Sequence, residues 1–380
     1  MAETPEQEIA AAGFPVYLCG FSAIDSYLGR FPTTAVHVSC RAELADLARL
    51  FEGLRYPGVS FADAAVDCGG KAWYFRCADE PRNCRDSSFD FLEFFQDCVS
   101  RRFYDPNDIY PVLRRIRDGK EDDNSDSGQW WKTAQSGSDP YRVIFDRAMI
   151  LARYFPEAAS REINAAAAEF RSVNAGPQFC IEEQRLLLTG LLEAANPAPG
   201  FELLKSAGFI SAFWPELAAL DDVDHSKEFH PEGNVWKHTM ETLRYRKAGH
   251  DLRLSLGLLL HDAGKPLSDS AGSRRFNGHA ELGERQARRF LERLCFQPPL
   301  VNDVCYLVRN HMLPAALPRL PLVRTGEIMA SPLFPTLLEL YRCDESSSFK
   351  GLDGYYQSSA AYQSYLKYRR NPAKTWYANR

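Results

Sequence analysis

The stretch Leu256 to Pro266, LGLLLHDAGKP, constrains this chain more than any other. Its first five residues are apolar on every side of a helix, and such a helix has to lie inside other structure rather than on it. The run then meets an imidazole, a carboxylate, a glycine, a lysine and a proline, and Pro266 limits how far that helix continues. A buried helix that ends in His261 and Asp262 carries two polar groups into the interior, where each needs a partner. Neighbours on a helical turn stand about 100° apart, close enough for both side chains to reach one ion lying off the helix end.

The rest of the chain has to supply the surrounding layer. After residue 138, the segments YRVIFDRAMILARYF, REINAAAAEFRSV, EEQRLLLTGLLEAA, VWKHTMETLRYR and HAELGERQARRFLERL all carry apolar residues at helical spacing. The C-terminal two-thirds is therefore expected to be all helical. Before residue 117 the pattern differs: VYLCG and AVHVSC read as strands, and RAELADLARLFEGL, between turns, reads as a helix. That alternation describes a small mixed α/β unit. Between the two regions lies RDGKEDDNSDSGQWWKTAQSGSDP, charged, rich in Ser and Gly and almost free of aliphatics, which reads as a polar linker or insertion containing Trp130 and Trp131. The resulting division is residues 1–116, a linker at 117–138, a helical neck and body at 139–222, a helical domain at 223–345 and a tail at 346–380. No internal repeat of fixed period is present.

With 380 residues, 45% hydrophobic and 25% charged, the chain has the composition of an ordinary globular protein of more than one domain. Its formal charge of −5 gives no global attraction to DNA or to an anionic membrane. No apolar run reaches the roughly 18 residues that span a bilayer, and the N-terminus lacks the basic and apolar regions of a signal peptide, so a cytoplasmic location is expected. The ten cysteines include no CxxC spacing and read as small buried hydrophobes.

The helical domain holds more than one polar pair. His238 in GNVWKHTM, His279 in NGHAELGE and His311 in LVRNHMLP occupy helix-associated positions like that of His261, and Asp344 follows in LLELYRCDESS. The order is H…HD…H…H…D. Imidazoles mixed with carboxylates suit a divalent ion, with Ni, Mn, Fe and Co as candidates and Mg where carboxylates and water dominate. His230 in FHPEGNVWKH is a candidate substrate contact, whereas His37, His225 and His250 are read as surface histidines. Lys265, four positions after His261, is a candidate to neutralise phosphate charge.

This order, with LLHDAGKP at its centre, resembles the HD superfamily of metal-dependent phosphohydrolases. The resemblance implies that His238, His261, Asp262 and Asp344 hold the principal ion, and that His279 and His311 hold a second ion or contact the phosphate. One ion or two would polarise the phosphoryl group and lower the pKa of water toward neutrality, with His261, Asp262 and Lys265 at the catalytic centre. The flanking segments NPAPGFELLKSAGFISAFWPEL, FHPEGNVWKHTM and FNGHAELGERQARRFLERL are similar to the C-terminal half of bacterial tRNA nucleotidyltransferases, the CCA-adding enzymes of the poly(A) polymerase family. The fold this implies is a small mixed α/β nucleotidyltransferase-like head, then an all-α neck and body and an all-α HD domain.

That family's head opens on a strand, a Gly-Gly turn and an Arg-Asp helix, followed by two aspartates one residue apart that bind the ions of nucleotidyl transfer. The stretch VYLCGFSAIDSYLGRFPTTAVHV follows this outline, keeping Gly20, Asp25, Leu28 and Gly29. Phe21 replaces the second glycine, Ile24 the arginine, and Thr34 and Val36 the two aspartates. Asp90 and Phe91 in SSFDFLEFF, and Asp139 and Arg142 in DPYRVIFDRAMILARYF, are retained without the arginines expected beside Asp90 and at Phe145. Asp63 and Asp67 are no substitute, because four residues along a strand span about 13 Å. The head therefore reads as catalytically degenerate. The expected function is hydrolysis of nucleotide or RNA-end phosphoesters, such as 2′,3′-cyclic phosphates, at the HD site. The alternatives are an active CCA-adding enzyme and a non-catalytic RNA-binding protein. tRNA is a candidate partner, because RYRKAGHDLR, GSRRFNGH, RQARRFLER and YLKYRRNPAKTWYANR interleave basic and aromatic residues. The bland reading of Arg288 and Arg289 is the solvated face of an amphipathic helix.

Overall fold

The structure, a computed structural model, describes residues 3–30, 35–78, 93–118, 140–158, 160–168, 170, 179–224, 233–247, 251–268, 276–348 and 351–370. His225, His230, His250, Thr34, Asp90, Phe91, Asp139, Trp130 and Trp131 lie outside the described residues. The chain forms two compact units, residues 1–193 and 194–380.

The first unit is built on a sheet of six strands: β1 (Val16–Cys19), β2 (Ala35–Cys40), β3 (Ala64–Cys68), β4 (Lys71–Cys77), β5 (Phe95–Asp97) and β6 (Phe103–Tyr104). Their order is β3-β4-β2-β1-β5-β6, and only β2 and β4 run parallel. The helices are α1 (Pro5–Ala11), α2 (Phe21–Tyr27), α3 (Leu44–Leu50), α4 (Tyr110–Asp118), α5 (Pro140–Tyr154), α6 (Ser160–Ala168) and α7 (Ile181–Glu193). Both segments read as strands in the sequence are strands, and the helix read between β2 and β3 is α3. Val36, Val38, Leu47, Trp73 and Phe75 share one core, which follows from inward alternation on β2 and β4 and the apolar face of α3.

Gly20 starts α2 with φ +54°, a backbone region that favours glycine. Asp25 on α2 is buried and fully engaged: the Tyr154 hydroxyl donates to Oδ1 at 2.8 Å and Arg153 Nη1 meets Oδ2 at 3.1 Å. Arg153 also reaches Glu193 at 3.0 Å, so one buried guanidinium joins α2, α5 and α7.

The second unit is helical throughout its described residues: α8 (Ala198–Ser206), α9 (Phe209–Phe213), α10 (Pro215–Ala218), α11 (Val235–Arg244), α12 (Leu252–Leu260), α13 (Lys265–Ser268), α14 (His279–Arg293), α15 (Pro298–Asn310), α16 (Leu313–Ala316), α17 (Leu322–Ala330), α18 (Phe334–Ser346) and α19 (Asp353–Arg370), with two 3₁₀ turns. Helix α12, apolar apart from Arg253 and Ser255, is the central helix, packed against α11, α15 and α18. Asp251 caps its start by accepting from the Arg253 and Leu254 amides, and every residue from Leu254 to Leu260 is buried. Gly257 lets α12 approach closely, since a Cβ there would stand 3.1 Å from both Leu307 and Leu340. The buried Trp214 packs against Phe201, Phe209 and Phe290, and Trp236 against Phe201, which fixes α11 and α14 in relation to α8. Arg288 pairs with Glu284, Glu292 and Asn302 and so belongs to a solvated helix face.

Candidate metal centre

Two of the six residues singled out in the helical unit stand at helix C-termini for a common reason, and a third uses the same device at a helix start. An α-helix leaves its last carbonyls without intrahelical donors. His261 follows the last residue of α12 and His311 follows the last residue of α15. Each turns Nδ1 back on the carbonyl three residues earlier, His261 to Leu258 O and His311 to Val308 O, both at 2.7 Å. His279 opens α14 and does the same to Phe276 O at 2.7 Å. A carbonyl only accepts, so each of the three rings carries a hydrogen on Nδ1, and in the neutral ring Nε2 presents a lone pair.

Those lone pairs face one another. Nε2 of His279 lies 3.0 Å from Nε2 of His311, and Nε2 of His261 lies 3.4 Å from that of His238. His238 Nε2 is 3.0 Å from Asp344 Oδ1, and His261 Nε2 is 3.3 Å from Asp262 Oδ2. Ligand atoms about 2.1 Å from one ion stand about 3.0 Å apart at right angles and about 3.4 Å apart at tetrahedral angles, so these separations fit donors around a cation. Two groups have donor atoms all within 4.8 Å of one another: His238, His261 and Asp344, and Asp262, His279 and His311. Asp262 stands between them, with Oδ2 3.8 Å from His238 Nε2 and Oδ1 3.8 and 3.9 Å from the Nε2 atoms of His279 and His311. One carboxylate thus turns an oxygen toward each set.

The electrostatics agree. Burial raises the pKa of the Asp262 carboxyl, but the His261 and Lys265 charges and a hydrogen bond from His261 hold it well below the usual carboxylate range. Asp344 is likewise held low against burial, through its hydrogen bond and charge contact with His238. Burial, then the His261 charge, lowers His311 to about 4, and burial also lowers His279. Ionised carboxylates, and neutral imidazoles such as those of His279 and His311, are the forms that bind a cation.

His238, His261, Asp262, His279, His311 and Asp344 are brought together, and Lys265 stands beside them. The spacing alone puts Lys265 one turn beyond His261 on a continuous helix, as a candidate to neutralise phosphate charge. Instead α12 ends at Leu260, the chain turns, and Lys265 Nζ donates to Asp262 Oδ2 at 2.6 Å while lying over the Phe276 ring. Gly264 has a reason the sequence did not show: a Cβ there would fall 2.0 Å from His279 O and 2.4 Å from Gly283 N. Only glycine lets this turn lie against the start of α14, and that contact brings His279 to Asp262. The sequence reading also missed Ser347, whose hydroxyl contacts His238 Nδ1 at 3.1 Å.

The head's candidate positions are apolar and packed. Phe21 stacks on Tyr154, Ile24 is fully buried, and Val36 on β2 is buried beside Trp73 of β4. Asp67 faces Arg55 and Asp63 accepts from the Cys77 amide, so neither joins a cluster of metal ligands among the described residues. A cavity of about 390 Å³ remains beside the Gly20 turn, with Phe21, His37, Phe61, Tyr74 and Arg76 in its wall. His37 is not the surface histidine expected, since its ring is 5.4 Å from Phe61 and 5.7 Å from Tyr74. The nine described cysteines are free thiols, and no described helix is long and apolar enough to cross a membrane.

Residues 235–332 match the family model of the HD domain, which takes in His238, His261, Asp262, His279 and His311 and stops short of Asp344. The chain carries an HD domain, and the curated proteins it is similar to are CCA-adding and CC-adding tRNA nucleotidyltransferases. It is 37% identical over 147 residues to the multifunctional CCA protein of Halorhodospira halophila, covering 37% of this chain and 35% of that protein. It is 34% identical over 151 residues to the CC-adding tRNA nucleotidyltransferase of Thermus thermophilus, covering 37% and 34%. The match thus spans about a third of these relatives' length. Among solved structures, the CCA-adding enzyme of Bacillus stearothermophilus in complex with CTP aligns at a TM-score of 0.45 and 15% identity, over 95% of this chain and 80% of that one.

Proposed function

We propose that this chain is a metal-dependent phosphohydrolase acting at its HD centre on phosphoesters of nucleotides or RNA ends, such as 2′,3′-cyclic phosphates, and that its head has lost nucleotidyl transfer. The observation that carries the reading is Asp262, one carboxylate with an oxygen toward each of two sets of converging lone pairs. Two neutral Nε2 atoms 3.0 Å apart, with their ring hydrogens committed elsewhere, repel unless a positive charge lies between them. His238, His261 and Asp344 would hold one ion and Asp262, His279 and His311 a second, and four imidazoles favour a transition ion such as Ni, Mn, Fe or Co over Mg. When bound, such ions supply Lewis acidity at the phosphoryl group and a hydroxide near neutral pH.

The chain's own residues do the remainder. Asp262 stays ionised and orients both sets. Lys265 Nζ, on Asp262 Oδ2, is placed to exchange that oxygen for a phosphoryl oxygen of the substrate. No cysteine or serine nucleophile is required. The substrate class follows from the resemblance to nucleotidyltransferases that carry HD domains, and His230 upstream of α11 is retained as a candidate substrate contact. The division at 117–138, 139–222 and 223–345, and the cytoplasmic location, are part of the same reading.

A second reading, CCA addition, is favoured by the names of the relatives, and tRNA would then be the substrate. Against it stand Val36 buried in the core and Ile24 in the place of an arginine.

The test is hydrolysis of 2′,3′-cyclic AMP and of a generic phosphodiester by chelated protein after addition of Ni²⁺, Mn²⁺ or Mg²⁺, beside the variant His261→Ala/Asp262→Ala. The expected result is metal-dependent turnover that the variant lacks. Turnover that survives in the variant, or none with any ion, would overturn the assignment.

A further inference from the structure

His238 is held differently from the other three histidines. It sits inside α11 rather than at a helix end, and the carbonyl three residues before it, Val235 O, already accepts from the Thr239 hydroxyl at 2.8 Å. The device used by His261, His279 and His311 is closed to it. Its Nδ1 is met instead by Ser347, from just beyond the end of α18 and 109 residues away in sequence, at 3.1 Å. The same hydroxyl lies 2.7 Å from the carbonyl oxygen of Asp344. That oxygen only accepts, so the single hydroxyl hydrogen goes to it, and Ser347 Oγ has only lone pairs left for His238.

We infer that Ser347 is the positioning residue of one ligand set: by accepting from His238 Nδ1–H and donating to Asp344 O, it fixes the ring of the first ligand and the backbone of the second. Ser347 is buried, so no bulk water takes its place. His238 and Asp344 belong to the set completed by His261, whereas Asp262, His279 and His311 have no contact with this hydroxyl among the bonds described for them. The two sets therefore depend on Ser347 unequally. Removing the hydroxyl takes the acceptor from His238 Nδ1–H and so favours a hydrogen on Nε2, toward Asp344 Oδ1 at 3.0 Å, which the ion has to displace, and leaves the second set as it was. The effect expected for the loss of such a supporting hydrogen bond is about 10–100-fold in metal affinity.

The inference rests on the two-ion reading of the centre, and the experiment separates the two. Full-length protein stripped by chelation is titrated with Mn²⁺, free Mn²⁺ being read by electron paramagnetic resonance, for the wild type, Ser347→Ala and Ser347→Thr. Thermal midpoints report folding. The wild type is expected to bind two ions. In Ser347→Ala one ion should bind as before and the other about 10–100-fold more weakly, and Ser347→Thr should restore both. Two ions bound as in the wild type, or both weakened alike, would overturn the role of Ser347 while leaving the centre intact. No Mn²⁺ bound by the wild type would overturn the two-ion reading and this inference with it.

Discussion

The two units treat buried polar groups in opposite ways. In the head, Asp25 is answered by Tyr154 and Arg153, Arg153 by Glu193, and Glu182 by Tyr74, Arg55 and Arg185. Each of these charges has an opposite charge or a donor against it, and the network ties helices to one another and to the sheet. In the HD centre, four imidazoles turn the same kind of atom toward a common space, and the two carboxylates add further acceptors. Their Nδ1 hydrogens are spent on holding the rings in place. A polar cluster of opposite charges is architecture, whereas one that turns several donor atoms of one kind toward a common space is arranged for a cation.

The largest expected effect lies where that comparison turns on one residue. Asp262→Asn keeps the shape of the side chain but removes the charge shared by both ligand sets. It should lower metal-dependent hydrolysis about 10³-fold or more, as expected when several kcal/mol of charge stabilisation is lost. Rates at saturating Mn²⁺ check this, and a loss below tenfold would mean that Asp262 is not shared.

Val36→Asp sharpens the contrast from the other side, by returning a carboxylate to a head position where the aligned family has one. In this chain the position is buried against apolar neighbours, so the variant should lose roughly 3 kcal/mol or more in urea unfolding and gain no transfer of CMP or AMP to tRNA. Retained stability together with nucleotide addition would show that the head keeps a working site.

Gly264→Ala should cost about 1–3 kcal/mol, because the new methyl group meets backbone on α14 rather than a side chain that can turn aside. Mn²⁺ binding by the set that contains His279 should weaken more than binding by the set that contains Asp344. Equal weakening would show that the turn does not position His279.

The smallest effect concerns pH. Burial raises the Glu182 pKa, but the Tyr74 hydroxyl and the Arg185 and Arg55 charges more than offset this, so the folded value lies below the ordinary 4.5. A carboxylate depressed in this way contributes stability above its unfolded pKa and loses it as pH falls through the folded value. Unfolding of the head should therefore become easier as pH drops below about 4.5, and Glu182→Gln should flatten that slope. A slope unchanged in the variant would remove Glu182 from the network.

The residues of the proposed centre are legible in the sequence because His261, His311 and Asp344 lie toward the ends of helical patterns, His279 opens one, and His238 lies in the first turns of another. The order H…HD…H…H…D needs no knowledge of how the helices pack. Gly264 was visible as part of HDAGKP, but its reason, a backbone 2.0 Å from where a side chain would begin, exists only once α14 is in place. Ser347 carries no local signal, being a serine beyond a helix end that meets His238 across 109 residues. The partner of Lys265 was missed because the spacing was counted along a continuous helix, and α12 ends before it. In the head, β1 and β2 follow from their apolar alternation, whereas β5 and β6, of three and two residues, are too short to show a period. That Val36 stands where the resemblance implies an aspartate can be read from the sequence, whereas the aromatic environment of His37 cannot.

The central claim, that one unit works and the other supports, is tested most directly by measuring both activities on one preparation. Chelated full-length protein would be assayed with Mn²⁺ or Ni²⁺ for hydrolysis of 2′,3′-cyclic AMP, and with Mg²⁺ for incorporation of CMP and AMP from CTP and ATP into tRNA lacking its 3′ end. Metal-dependent hydrolysis with no incorporation is the expected result. Incorporation of nucleotides with no hydrolysis would contradict the account and make the head the active part of the molecule.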